Sequence, residues 1–342
     1  MLTNYDNLYD YCSNNIRTEN PTVYHIGKKI GNYVLILAVD NKNNKIYKYS
    51  NEWLHLLTDY YKIGGCHQQH YDKIITEYRD IIYSRKGEVN KSHQDKDIIP
   101  LCTSFSLGTV HGYAGLYCII DQYIRDKEKY KDHYIVIYIN SQKGILEIIN
   151  GFVECGVLEK DKIIYVLSEI PYLFKSITFL FNRWHMYPSH IGDEHNQFKI
   201  DIIQKYLVSS KYNIDPQDER ICIIKSSESE NLTNNGIVSK SIIDKFCENY
   251  DFTFLEPMKM NEIELINRLH NAKVFVTSWG TAYFKNHVYL SDKCEKVYIL
   301  VIGEDFKNQY HSGYVPKKYR NATIEYLFLE DNNLDMPPGF IK

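Results

Sequence analysis

Residues 265–286 read LINRLHNAKVFVTSWGTAYFKN. The apolar positions at the start of this stretch follow helical spacing, and the short run from Val274 to Val276 is typical of a strand buried on both faces. The small residues Ser278 and Gly280 then predict a tight turn into a further helix, whose first backbone N–H groups are exposed. The stretch therefore predicts the helix, strand and helix succession of an α/β fold with a parallel sheet.

The same alternation extends over two parts of the chain. In the first part we predict helices at residues 113–125 and 143–155 and strands at residues 134–139 and 162–167. In the second part we predict strands at residues 221–224, 252–255, 273–277 and 297–301 and helices at residues 239–249 and 261–270. Residues 182–218, with a connecting helix at 197–209, separate the two parts. The sequence therefore predicts two Rossmann-like halves joined by a hinge, which we assign to domains 1–195 and 196–342.

The N-terminal region has a different pattern. Residues 33–39 and 45–49, joined by the polar turn 40–44, predict a β-hairpin within a meander over residues 21–50. Residues 51–85 have apolar side chains at helical spacing, which predicts helix. Residues 85–97 are polar and charged, and they predict a loop.

Composition excludes several classes of protein. The chain has 342 residues and a formal net charge of −3, so it lacks the overall basic field that would favour nucleic acid as a partner. Hydrophobic residues make up 44% and charged residues 24%, which excludes wholesale disorder and the membrane class. Neither a signal peptide nor an apolar stretch long enough for a bilayer is apparent. We therefore expect a cytoplasmic protein without a membrane span, for which a homodimer is allowed.

Cysteine and tyrosine usage give no functional signal. The eight cysteines are scattered without a CxxC pair, so we expect reduced and mostly buried thiols. The 31 tyrosines accompany many Ile, Asn and Lys residues and few Gly and Pro residues. An AT-rich coding genome, such as that of a large DNA virus or an AT-rich microbe, gives this bias without any functional demand.

The candidate functional residues follow the predicted strands. Ligands of open α/β sheets bind outside the carboxyl ends of the strands. Three such ends carry suitable groups, which are Ser278, Gly280 and Thr281 at one, Lys225 and Ser226 at the second, and Glu256 at the third. The first offers hydroxyls and main-chain N–H groups to a diphosphate, the second a cation, and the third a carboxylate for ribose or sugar hydroxyls. Taken singly, each is also an ordinary turn or solvated loop, and that alternative stays open.

Taken together, the order of these ends resembles the C-terminal half of glycosyltransferase family 61. The stretch quoted above stands where that family has a helix, a strand and a small-residue turn. Upstream, residues 111–124, HGYAGLYCIIDQYI, resemble the family's helix rich in His and aromatic residues. The resemblance covers residues 105–305 and is one of topology and spacing. Lys225 replaces the family's Arg, and Trp279 replaces its His.

The resemblance implies a GT-B architecture, in which two Rossmann-like domains face each other across a cleft. It implies that residues 1–195 mainly bind the acceptor and that residues 196–342 bind the nucleotide sugar. It implies an inverting glycosyltransferase, independent of metal and cofactor, that transfers a sugar from a UDP-sugar to a glycan or protein-linked acceptor. The residues it assigns to the nucleotide sugar are Lys225, Ser226, Glu256, Ser278, Trp279, Gly280, Thr281, Ala282 and Asn286. The general base is Asp121 or His111. The choice between the two is open because the family's His and Asp, four positions apart, are not reproduced in this sequence.

Other function classes stay open. A non-catalytic sugar-binding or nucleotide-binding scaffold of the same fold, within a glycan-building complex, is favoured by the missing His and Asp spacing. Another nucleotide-utilising or sugar-phosphate-utilising enzyme, such as an epimerase, should have a Gly-rich turn near its first strand, and none is found. Residues 66–70, 95–97 and 185–195 contain potential metal ligands, which we interpret as solvated loop residues.

Overall fold

The computed structural model describes residues 16–19, 21–30, 33–40, 45–49, 54–56, 89–101, 109–138, 143–167, 170–180, 200–208, 219–226, 237–302, 318–319, 321–329, 334–336 and 340. The chain divides into two compact units. Unit 1 consists of Met1–Leu146 and Gly156–Met186, and unit 2 consists of Glu147–Cys155 and Tyr187–Lys342. Each unit contains a sheet with parallel strands, which confirms the predicted mixed α/β class of Rossmann-like character. The roles predicted for residues 1–195 and 196–342 stay predictions.

Ten strands and three α-helices are described up to residue 180, besides a 3-10 turn at Lys160–Lys162. The strands are β1 (Ile16–Glu19), β2 (Pro21–Ile30), β3 (Tyr33–Asp40), β4 (Lys45–Tyr49), β5 (Leu54–Leu56), β6 (Asp97–Leu101), β7 (Tyr134–Tyr138), β8 (Ile163–Val166), β9 (Tyr172–Leu173) and β10 (Ser176–Phe179). The helices are α1 (Thr109–Arg125), α2 (Lys127–Tyr130) and α3 (Lys143–Glu154).

These strands of unit 1 form two sheets. The first has the order β1-β10-β6-β7-β8, in which β10, β6, β7 and β8 are parallel and β1 is antiparallel at the edge. Its strand β7 contributes Ile135, Val136 and Ile137, all buried, as expected of a strand covered on both faces. The second sheet, β5-β4-β3-β2-β9, is antiparallel throughout and confirms the predicted hairpin.

Two sequence-based predictions for this region are wrong. Leu54–Leu56, predicted as helix, is strand β5, because Leu54 and Leu56 lie opposite Tyr49 and Tyr47 of β4. Asp97, predicted as the end of a loop, begins strand β6, which pairs with β7 and β10. The rest of the predicted helix, residues 57–85, lies outside the described residues.

Unit 2 contains a six-stranded sheet. Its strands are β11 (Arg220–Ile223), β12 (Thr253–Phe254), β13 (Val274–Ser278), β14 (Lys296–Ile302), β15 (Lys318–Tyr319) and β16 (Ala322–Leu329). Its further helices are α4 (Lys240–Tyr250), α5 (Glu262–His270) and α6 (Thr281–Asn286). The order is β12-β11-β13-β14-β16-β15, and all neighbours are parallel except β15 and β16.

Capping and an apolar face explain the helices of unit 2. The Asn261 side chain accepts hydrogen bonds from the backbone N–H groups of Ile263 at 2.9 Å and Glu264 at 3.4 Å, which fixes the start of α5. Leu265 and Leu269 of α5 are fully buried. The predicted connecting helix is confirmed over residues 200–207, where it includes a π-helical turn at Ile203–Leu207. Within the described residues, no helix has both the length and the apolar character needed to cross a bilayer.

Candidate functional site

The sheet of unit 2 reverses its direction of winding between β11 and β13. From β11 the chain passes through α4 to β12 on one side, and α5 then returns it to β13 on the other side of β11. In open α/β sheets, ligands bind outside the carboxyl ends of the strands at such a topological switch point. Lys225 and Ser278 lie at the carboxyl ends of these two strands.

Lys225 and Ser278 are in direct contact. The backbone N–H of Lys225 donates a hydrogen bond to Ser278 Oγ over 3.3 Å. Ser278 is only 3% exposed. Because its hydroxyl oxygen accepts this hydrogen bond, it joins the ends of β11 and β13. Ser226, at 1% exposure, pairs with Val238 in an isolated bridge that continues the line of β11. The structure thus brings together residues that the sequence placed on separate strands.

The Lys225 side chain is a half-buried cation at this contact. Desolvation by burial lowers the pKa of its ammonium group, because water no longer stabilises the charge fully. Within the described part of the chain, the ammonium group makes no ion pair or hydrogen bond. A bound anion would supply the opposite charge and restore the pKa of Lys225.

Gly280 turns the chain from β13 into α6. Its φ of 100° and ψ of −143° belong to a region that is accessible to glycine and strained for other residues. A Cβ atom built at Gly280 would meet no described atom within 4 Å, so none of the described residues closes the main chain on this side. Glycine is therefore needed here for its backbone conformation, and the described residues leave room for a ligand at the peptide groups.

Trp279 belongs to the core beside this turn. It is 8% exposed, its ring stacks on Tyr283 with centroids 6.2 Å apart, and it meets Tyr326 edge to face. Its backbone N–H donates to the carbonyl of Leu300 at 2.9 Å. The observed role of Trp279 is packing, and its predicted contact with a ligand stays a prediction.

The remaining predicted residues of α6 differ in access. Thr281 is the first residue of the helix, and its side chain lies outside the described set. Ala282 is half-buried. Asn286 is 1% exposed, and its Oδ1 atom has no hydrogen-bond partner among the described residues. A ligand contact by Asn286 would require movement of the groups that cover it.

Glu256 lies at the same edge of the sheet as Lys225. The preceding residue, Leu255, donates its N–H to the carbonyl of Cys222 in β11 at 2.9 Å, which continues the pairing of β12 with β11. The carboxylate of Glu256 forms an ion pair with Lys259 at 2.9 Å, and 27% of its side chain is exposed. A ligand hydroxyl would therefore have to share this carboxylate with Lys259.

The two candidate bases lie on α1 of unit 1. The Asp121 side chain is 11% exposed and its Oδ1 accepts a hydrogen bond from Arg125 Nε at 2.9 Å. An acceptor hydroxyl would therefore have to share this carboxylate with Arg125. The His111 side chain is not among those described. The choice between the two stays a prediction.

The structure gives the acidic pair at residues 95–97 a local role. Asp97 forms an ion pair with Lys175 at 2.7 Å and accepts a hydrogen bond from the Ser176 hydroxyl. Asp95 pairs with the adjacent Lys96. In the ranges that the structure describes, no group of three His, Cys, Asp or Glu side chains is placed to hold a metal ion. The residues at 66–70 and 185–195 lie outside those ranges.

One polar cluster near the candidate site was not found from the sequence. Lys285 of α6 and Glu262 of α5 form an ion pair of 2.7 Å, with side-chain exposures of only 9% and 4%. The second oxygen of Glu262 accepts a hydrogen bond from the Tyr289 hydroxyl at 3.0 Å. The two charges are 23 positions apart, and no local spacing pattern indicates such a contact.

Comparison of the chain with protein-family models and with curated proteins found no match. The fold and the geometry of the site define an α/β protein with a candidate anion-binding site at the carboxyl ends of β11 and β13 in unit 2. The resemblance to glycosyltransferase family 61 stays a prediction.

Proposed function

We propose that the protein is an inverting, metal-independent glycosyltransferase that uses a UDP-sugar and modifies a glycan or a protein-linked sugar in the cytoplasm. The observation that carries this proposal is the contact between Lys225 and Ser278 at the switch point of the unit 2 sheet. Together with the open main chain at Gly280, it offers one cation and accessible peptide groups where α/β sheets bind nucleotides. The proposal includes a GT-B arrangement of the two halves.

In the proposed reaction, an acceptor hydroxyl oxygen attacks the anomeric carbon of the donor sugar. A carbon–oxygen bond forms as the bond between the anomeric carbon and the diphosphate oxygen breaks, and UDP leaves with the bonding electron pair. Asp121 or His111 takes the proton of the acceptor hydroxyl. Lys225, unpaired among the described residues and half-buried, stabilises the negative charge that develops on the diphosphate.

The role of Lys225 follows from its desolvation. A cation already removed from part of its water interacts more strongly with a phosphate than a solvated one does. Desolvation lowers the pKa of Lys225, and the opposite charge of a bound diphosphate would offset this cost. Lys225 is therefore suited to binding an anion.

The test is a panel of nucleotide sugars, measured by calorimetry for binding and by donor hydrolysis for turnover. We expect UDP and at least one UDP-sugar to bind and the sugar to be released slowly without acceptor. Failure of every nucleotide sugar to bind at millimolar concentration would overturn the proposal.

The alternative, a non-catalytic binding scaffold of the same fold, is favoured by one observation. The carboxylate of Asp121 is already paired with Arg125 at 2.9 Å. Asp121→Asn and His111→Ala separate the two functions, because an enzyme loses turnover in one of these variants while UDP binding persists. A protein that binds UDP-sugars but shows no turnover before or after substitution is a scaffold.

A further inference from the structure

We propose that the buried ion pair of Glu262 and Lys285 is a positioning device that holds the Gly280 turn in its ligand-binding form. This inference rests on the proposed function, because it assigns the pair to the same nucleotide site. Glu262 and Lys285 do not touch the ligand in this proposal. They act through α6, whose first residue follows Gly280 directly.

The pair joins the two helices on either side of β13 in the sequence. Glu262 is the first residue of α5, which leads into β13, and Lys285 lies near the end of α6, which leaves it. Their atoms are 2.7 Å apart, and less than a tenth of either side chain is exposed. The pair therefore links α5 to α6. In the sequence, β13 and the Gly280 turn lie between these two helices.

Further hydrogen bonds hold Glu262 in place. Tyr289, beyond the end of α6, donates its hydroxyl to Glu262 Oε1 at 3.0 Å. The backbone N–H of Glu262 donates to Glu147 Oε2 at 2.6 Å. Asn261 caps the same turn of α5. The carboxylate of Glu262 thus has a fixed position. The ion pair holds Lys285, and with it α6, against this carboxylate.

A requirement for stability alone does not explain such a pair. Removing two charges from water costs about as much as their attraction returns, and apolar residues of similar volume often stabilise a fold equally well. The best supported use of buried charges is to fix one register of packing among several. α6 has only six residues, so its own backbone hydrogen bonds specify its position weakly.

The experiment compares wild type with the double variant Glu262→Leu and Lys285→Met, which keeps the volume and removes both charges. The matched control is Glu219→Leu with Lys273→Met. This second pair has the same residue types and the same distance of 2.7 Å, but it is about half exposed and lies at the amino ends of β11 and β13. Amide hydrogen exchange and the Kd for UDP are measured for all three proteins.

We expect the double variant to fold with a urea midpoint somewhat below that of wild type, because removal of the ion pair is close to neutral but the Tyr289 hydroxyl loses its carboxylate acceptor. Its amides at residues 284–287, which donate the backbone hydrogen bonds of α6, should exchange about tenfold faster or more relative to those of β14. Its Kd for UDP should rise about tenfold or more, since small displacements of binding groups have effects of this size. The control pair should change neither quantity.

Unchanged exchange at residues 284–287 together with an unchanged Kd would overturn the positioning role. If wild type binds no UDP, the proposed function fails, and the exchange measurement alone decides on the positioning role. If the double variant does not fold, Glu262→Gln replaces it, because the amide keeps the shape and the Tyr289 hydrogen bond. Faster exchange confined to residues 284–287 is then the supporting result, and wild-type exchange is the opposing one.

Discussion

At the scale of single residues, Lys225 combines a charge with partial burial. Lys225→Met keeps most of the apolar stem and removes the ammonium group, which desolvation already destabilises. We therefore expect the free energy of unfolding to stay the same or rise, while affinity for UDP falls about tenfold or more. Calorimetry and urea unfolding measure the two quantities. Lys245→Met, on the exposed side of α4, is the control and should change neither. Wild-type affinity in Lys225→Met would show that the anion site lies elsewhere.

Gly280 is the residue whose backbone conformation shapes the turn. Gly280→Ala should lower the free energy of unfolding by about 1–3 kcal/mol, since its φ of 100° with ψ of −143° suits glycine only. UDP affinity should fall as well. Gly156→Ala is the control, because Gly156 also has a positive φ, of 71°, and open space around it, but lies after α3. It should lose stability and keep UDP binding. Equal loss of UDP binding in both variants would contradict a specific role for Gly280.

Cys294 makes stability depend on pH in the alkaline range. Burial raises the pKa of its thiol to about 12 from 9.0. The thiol of the unfolded chain therefore ionises at a lower pH than the thiol of the folded protein. The stability that the folded protein gains from the neutral thiol is complete below pH 9 and is lost as the pH rises toward about 12. Between about pH 8 and pH 10, wild type should lose about 1.4 kcal/mol more unfolding free energy than Cys294→Ala. Urea unfolding at both pH values measures the difference, and equal losses would show that the thiol ionises normally when folded.

At the scale of elements, the Asn261 cap of α5 contributes to the free energy of unfolding. Asn261→Ala removes the acceptor for two backbone N–H groups and should lower the free energy of unfolding by about 1 kcal/mol. Asn261→Ser, which retains a capping oxygen, should cost much less. Urea unfolding of the two variants gives the comparison. A similar loss in both would indicate that side-chain packing, and not the cap, stabilises this turn.

Elements with local signals were predictable from the sequence. The helices predicted at residues 239–249 and 261–270 agree with α4 and α5 within one residue, because Ser239 and Asn261 mark their starts. Strand β6 was missed because Asp97–Leu101 is short, contains a proline and follows a charged loop. It forms because β7 and β10 pair with it on both sides, which no local pattern specifies.

The same distinction applies to the candidate site. Lys225 and Gly280 were recognised as strand-end residues, since an apolar run followed by a cation or a small turn is a local pattern. The contact of Lys225 with Ser278 depends on the order of strands and joins residues 53 positions apart. The buried pair of Glu262 and Lys285 likewise depends on how two helices pack. Sequence therefore indicated which residues end the strands, and tertiary pairing decided which of them meet.

At the scale of the whole molecule, the proposed nucleotide site belongs to unit 2 alone, since Lys225, Ser278 and Gly280 all lie there. A ligand that binds only the folded protein reduces local opening where it binds. With saturating UDP, we expect slower amide exchange in peptides covering residues 220–226 and 274–283. Peptides covering β7 of unit 1 should exchange as in the free protein.

The control for this experiment is Lys225→Met at the same UDP concentration, which should show no added protection in either unit. Protection of wild type confined to unit 1 would place the nucleotide there and contradict the assignment of the switch point between β11 and β13. Protection confined to unit 2 and lost in Lys225→Met would tie UDP binding to the cation at the end of β11. Because the measurement resolves peptides, it separates local binding at this edge from a general stabilisation of the fold.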